Sequence, residues 1–126
     1  MEITGVIHSG AGKGAFFTQV QWVVSQCEQM LGYKPYPGTL NIHVLEDHLS
    51  VLPTLFQKSD FELIPDDPAF CSAQVRKVTV NGIPGAVILP SEEVRIHGSN
   101  VLEVIASCNL KNALGLSDGD QVTVSW

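Results

Sequence analysis

Three groups of residues have the types and spacing for chemistry. Thr39 and Asn41 stand two apart in the alternating run Thr39-Leu40-Asn41-Ile42-His43-Val44. Residues two apart in a strand share a face, so a hydroxyl and an amide oxygen would lie side by side. Such a pair suits a hard cation such as Mg²⁺, which takes one or two protein oxygens and completes its shell with water and phosphate. The same spacing also fits a plain strand end with a polar outer face. The second group is Gly10-Ala11-Gly12-Lys13-Gly14-Ala15. Alternating glycines let the backbone approach a ligand closely, and successive N–H groups can form an anion-binding concavity to which Lys13 adds a charge. This is neither a P-loop nor a dinucleotide fingerprint, because the required Gly-Lys-Ser/Thr spacing is missing; it also fits a simple connector. The third is Glu103, a carboxylate amid Val101, Leu102, Val104 and Ile105. It either serves a site or lies on the outer face of an alternating strand. His97, in a loop, is a further candidate base.

These groups need elements to hold them. Pro35, Pro37 and Gly38 shape the approach to the Thr39 strand, with glycine where a tight turn is needed. Leu40, Ile42 and Val44 face a core, leaving Thr39, Asn41 and His43 on the polar side. Glu2 to His8 reads as a first strand with Ile3, Gly5 and Ile7 on one face. Phe17 to Leu31 carries the apolar spacing of a helix that stops at Gly32. Glu46 to Ser59 is less regular and is broken by Pro53, with His48 at the surface. Phe61 to Ile64 is a short strand, and Asp66-Asp67 a solvated loop tip between prolines. Strands over Ala69 to Val80 and Ile83 to Leu89 flank Asn81-Gly82, a strong hairpin signal; Arg76 and Lys77 are expected to point outward. After a loop from Pro90 to Ser99 come a strand over Val101 to Ala106 and a short helix over Asn109 to Leu114, stopped by Gly115. The N-terminal N–H groups of that helix could meet an anion. Asp118 and Asp120 belong to a turn into the last strand, Val122 to Trp126. Six or seven short strands, one long helix and one short helix favour a mainly β fold, a small six-stranded β-barrel, over a doubly wound sheet.

Composition narrows the function. The chain has 126 residues and 44% apolar content, enough for one compact domain spanning 1–126. Its net charge of −6, with only 7 Lys and Arg in no cluster, argues against nucleic acid as a partner. It leaves room for a nucleotide, which needs only a few N–H groups and a cation. Cys27, Cys71 and Cys108 have neither metal-site nor disulfide-framework spacing, which fits a reducing cytoplasm. No stretch approaches ~18 apolar residues, so no membrane span is expected.

Leu31-Gly32-Tyr33-Lys34-Pro35-Tyr36-Pro37-Gly38-Thr39-Leu40-Asn41-Ile42 closely resembles the signature of the CTP-dependent riboflavin kinases first recognised in archaea. Three further blocks match in order: Gly10 to Phe17, Val101 to Ala106 and Leu114 to Val122. The resemblance implies a cradle-loop-type barrel with loops arching over one side. It implies CTP and riboflavin as substrates, FMN and CDP as products, and Mg²⁺ held by Thr39 and Asn41. It places the nucleotide against Gly10, Ala11, Gly12, Lys13, Gly14 and Ala15 and against Cys108, Asn109, Leu110 and Lys111. It places the flavin against Arg95 and Glu103. Glu103 is in addition our candidate for accepting the hydroxyl proton. The chain departs from the pattern at three positions: Arg95 where the family has threonine, Ser107 where it has proline, and Lys111 where it has arginine. A non-catalytic nucleotide- or flavin-binding barrel, and a kinase for another small alcohol, therefore stand as alternatives at this level.

Overall fold

The computed structural model describes residues 1–8, 18–69, 72–89 and 100–126. Its strands are β1 (Glu2–His8), β2 (Leu40–Val44), β3 (Phe61–Leu63), β4 (Ala73–Val80), β5 (Ile83–Ile88), β6 (Val101–Ile105) and β7 (Gln121–Ser125). Its α-helices are α1 (Gln21–Leu31), α2 (Leu52–Phe56) and α3 (Leu110–Leu114), and a 3₁₀ helix over Glu46–Val51 leads into α2. All pairings are antiparallel, in the order β3-β4-β5-β6-β2-β1-β7. The pairs Thr79↔Ser125 and Val80↔Val124 join β4 to β7 and close six strands into a ring. β3 pairs with Ala73, Gln74 and Val75 at the other end of β4, so it lies outside that ring. The described strands thus form the expected small barrel, with one additional strand.

Two-residue alternation builds the interior. Ile3 and Ile7 of β1, Leu40, Ile42 and Val44 of β2, and Leu102 and Val104 of β6 share one buried cluster with Val78, Val80, Val87, Val122 and Val124. Gly5 belongs to the same inward set and marks a close crossing. A Cβ there would collide with Ile42 Cγ2 and sit 2.7 Å from the His43 carbonyl oxygen. A second cluster lies outside the ring, where Trp22, Val23 and Cys27 of α1 cover Phe61, Leu63, Val75, Ala86 and Ile105. Burial on both faces explains why Val75 and Val78 are three apart: Val75 meets α1, and Val78 meets the barrel core. The Gln26 side-chain amide bonds both backbone groups of Ile64, donating to its carbonyl at 2.6 Å and accepting from its N–H at 2.7 Å, which ties α1 to the end of β3.

Local differences from the sequence reading have physical causes. α1 starts at Gln21 rather than Phe17 because Thr18 is diverted: its side chain is 1% exposed and accepts a hydrogen bond from Gly38 N–H at 2.8 Å. The stretch read as irregular is helical, since Pro53 sits in the first turn of α2, where its missing N–H is no loss. Arg76, expected to point outward, has the parity of Val78 and donates to the Thr54 and Leu55 carbonyls at 2.9 and 2.7 Å. His48 is not simply a surface residue, because its Nδ1 accepts from Thr4 N–H at 3.1 Å. The Asn81-Gly82 hairpin is present, with φ of 47° and 85°. Among the described residues, no helix is long and apolar enough to cross a membrane.

Candidate active site

β2 and β6 each bury alternate residues, which sends Asn41 and Glu103 to the outer face. Their register makes the two residues direct partners, Asn41↔Glu103. Thr39, one step before β2 and of the same parity, donates from Oγ1 to Glu103 Oε1 over a long 3.5 Å contact. A hydroxyl, an amide and a carboxylate from positions 39, 41 and 103 therefore meet on one face. The row extends sideways, with His8 of β1 opposite Asn41 and Ile88 of β5 opposite Glu103. The His8 and His43 rings lie against each other there, with centroids 4.0 Å apart and planes tilted by 32°.

The loop ahead of Thr39 is pinned at two points. Tyr36 N–H donates to the Ala106 carbonyl at 2.7 Å, and Gly38 N–H to Thr18 Oγ1 at 2.8 Å. Gly38 has φ of 114°, a left-handed conformation that favours glycine, and it aims the chain into β2. The pinned loop forms one wall of a small open cleft of about 80 Å³, from Tyr36 to Leu40; Val104, Ala106 and the stretch from Cys108 to Lys111 form the other.

That second wall is partly committed to structure. Asn109 caps α3, its side-chain oxygen accepting from Asn112 N–H at 3.1 Å. Leu110 is buried in the barrel core. Lys111 Nζ is 3.0 Å from Asp118 Oδ1, an exposed ion pair. Asp120 accepts from Ser117 N–H at 2.8 Å, so both turn carboxylates have structural partners. In the cluster between α1 and the sheet, burial pushes the Cys27 thiol up from 9.0 to about 11. Burial also pushes the Tyr33 phenol to about 12, with smaller contributions from Cys27 and Cys108.

Thr39, Asn41 and Glu103 are thus brought together on the outer face, and Thr39 also lines the cleft that Cys108 to Lys111 border. Gly10 to Ala15, Arg95 and His97 lie outside the described residues. Sequence reasoning missed Thr18, Tyr36 and the His8–His43 pair. The parity of β1 already turns His8 outward, but only the β1–β2 register reveals its neighbours.

A model of the CTP-dependent riboflavin kinase family, described as a domain of unknown function (DUF120), matches residues 7–125. The chain belongs to this family. It is 33% identical to a riboflavin kinase of Methanobrevibacter smithii over 127 residues, covering 100% of both chains. It is 35% identical over 126 residues to a riboflavin kinase of Thermococcus kodakarensis, covering 95% of this chain and 56% of that one. It is 32% identical to a riboflavin kinase of Archaeoglobus fulgidus, covering 98% of this chain and 54% of that one. The chain therefore spans the whole of one relative and about half the length of the other two. The side-chain oxygens of Thr39 and Asn41 are hard donors of the kind that Mg²⁺ takes.

Proposed function

We propose that the chain transfers the γ-phosphoryl group of CTP to the 5′-hydroxyl of riboflavin, giving FMN and CDP, at the face where Thr39, Asn41 and Glu103 meet. Its place among riboflavin kinases supports the substrate and product, and the family's name supports CTP. The observation that carries the assignment of the site is the Asn41↔Glu103 register with Thr39 beside it.

Phosphoryl transfer asks the protein mainly to position groups and offset charge. Thr39 Oγ1 and the Asn41 amide oxygen are the groups that would hold Mg²⁺. When bound, the ion neutralises phosphate charge as a Lewis acid. Gly10 to Ala15 would supply N–H groups and the Lys13 charge to the nucleotide phosphates, and Cys108 to Lys111 would border the rest of the nucleotide across the cleft. Arg95 and Glu103 would hold the flavin end. A bond forms between the ribityl 5′-oxygen and the γ-phosphorus as the bond from that phosphorus to the CDP oxygen breaks. The hydroxyl proton passes to Glu103. A reducing cytoplasm is the setting that this reading calls for.

The test is purified protein with riboflavin, Mg²⁺ and CTP, ATP, GTP or UTP in separate reactions, read by chromatography for FMN. FMN formed with CTP is the expected result, and omission of Mg²⁺ should abolish it. No FMN with any nucleotide, while CTP still binds, would overturn the assignment in favour of a binding barrel or a different acceptor.

A further inference from the structure

On the outer face, two histidines to which the proposed reaction gives no role flank Asn41 of the Thr39–Asn41–Glu103 cluster. His8 is the cross-strand partner of Asn41, and His43 follows Asn41 by two residues on the same face. Their ring centroids are 4.0 Å apart, and among the described residues neither imidazole makes a hydrogen bond or ion pair. Among the described residues no group of three or more His, Cys, Asp or Glu side chains is placed to hold a metal ion, whereas two adjacent imidazoles can each donate a ring N–H to neighbouring oxygens of one polyanion.

The position and the need agree. Phosphates held at the Thr39 and Asn41 oxygens would lie beside His8, the cross-strand partner of Asn41, and beside His43, two residues on along the same face. The other described groups there are poorly suited to an anion: Glu103 is a carboxylate, and Lys111 is 3.0 Å from Asp118. A neutral imidazole carries one N–H donor, and a hydrogen bond to a charged oxygen is stronger than one between neutral groups.

We propose that His8 and His43 are a second phosphate-holding element, donating ring N–H groups to the phosphate oxygens of the bound nucleoside di- or triphosphate. This rests on the reading of Thr39 and Asn41 as the metal and phosphate end of the site. The test is calorimetric binding of CDP and of cytidine, with and without Mg²⁺, to the full chain. The double variant His8→Phe/His43→Phe keeps two aromatic rings and removes the donors. It should weaken CDP roughly tenfold or more while leaving cytidine unchanged. His8→Gln/His43→Gln, which restores N–H donors, should recover part of the loss. Unchanged CDP affinity in the Phe pair, or equal weakening of CDP and cytidine, would overturn the proposal. If the Phe pair does not fold, His8→Ala at an exposed strand end carries the same comparison. Asn41→Ala separates the two readings, because it should abolish the Mg²⁺-dependent gain in CDP affinity. If Asn41→Ala is silent while the Phe pair loses CDP, the metal assignment fails and the histidine assignment stands. If Asn41→Ala loses that gain and the Phe pair is silent, the reverse holds.

Discussion

Replacing Thr18 with valine tests whether the loop before Thr39 is held where the chemistry needs it. The two side chains have nearly the same shape, so packing is kept and the hydroxyl is lost. Thr18 is 1% exposed, and its oxygen accepts the Gly38 N–H at 2.8 Å. Leaving a buried N–H unpaired costs about 1–3 kcal/mol. Gly38 is only half-buried and water can reach part of the gap, so the lower end, about 1 kcal/mol, applies here. For a domain of this size that lowers Tm by roughly 3–5 °C. The effect on turnover should be out of proportion. Gly38 is bonded to Thr39, and a displacement of about 1 Å in a positioning group can cost up to ~100-fold. We expect kcat/KM for CTP to fall roughly tenfold in Thr18→Val, with Thr18→Ser close to wild type. Thermal melts and initial rates of FMN formation measure both. A loss in Thr18→Ser with Thr18→Val unaffected would show that the methyl group matters and the hydrogen bond does not. Unchanged kcat/KM in the valine variant would refute the idea that this anchor positions the site.

Other outcomes follow from the same geometry. Glu103→Gln keeps an acceptor for Thr39 but cannot take a proton, so kcat should drop at least about a hundredfold with CDP affinity retained; unchanged turnover would rule Glu103 out as the base. Gly5→Ala places a methyl against Ile42 and the His43 carbonyl, and should destabilise the fold by about 1–3 kcal/mol in denaturant titration. Cys27 is held as a neutral thiol up to about pH 11 in the folded chain, whereas the unfolded thiol ionises near its ordinary value of 9.0. The folded state then binds more protons between those values, so stability should fall as pH rises from about 9 towards 11. Cys27→Ala should flatten that slope in denaturation curves taken across this range, and an unaltered slope would contradict it.

Much of the fold was readable because its signals are local. Leu40, Ile42 and Val44 are inward in the barrel as their alternation requires, and Gly32 and Gly115 end their helices in left-handed conformations. Asn81-Gly82 makes its hairpin for the same reason, since two positive φ values are a property of those residues. Where the reading went astray, a distant partner had intervened. Thr18 left the helix to bond Gly38, twenty residues on, and Arg76 turned to carbonyls of α2. No pattern within a short window records such contacts.

The candidate site divides along the same line. By itself, the sequence determined that Thr39, Asn41 and His43 share a face and that Glu103 interrupts an apolar strand, because side-chain direction in a strand has a period of two. Only the tertiary structure decided that Asn41 and Glu103 face each other across β2 and β6, with His8 on the far side and Lys111 already paired to Asp118. Register of that kind is set when the inward residues of six strands must fill one common core. It therefore belongs to the closed barrel and to no single stretch of the chain.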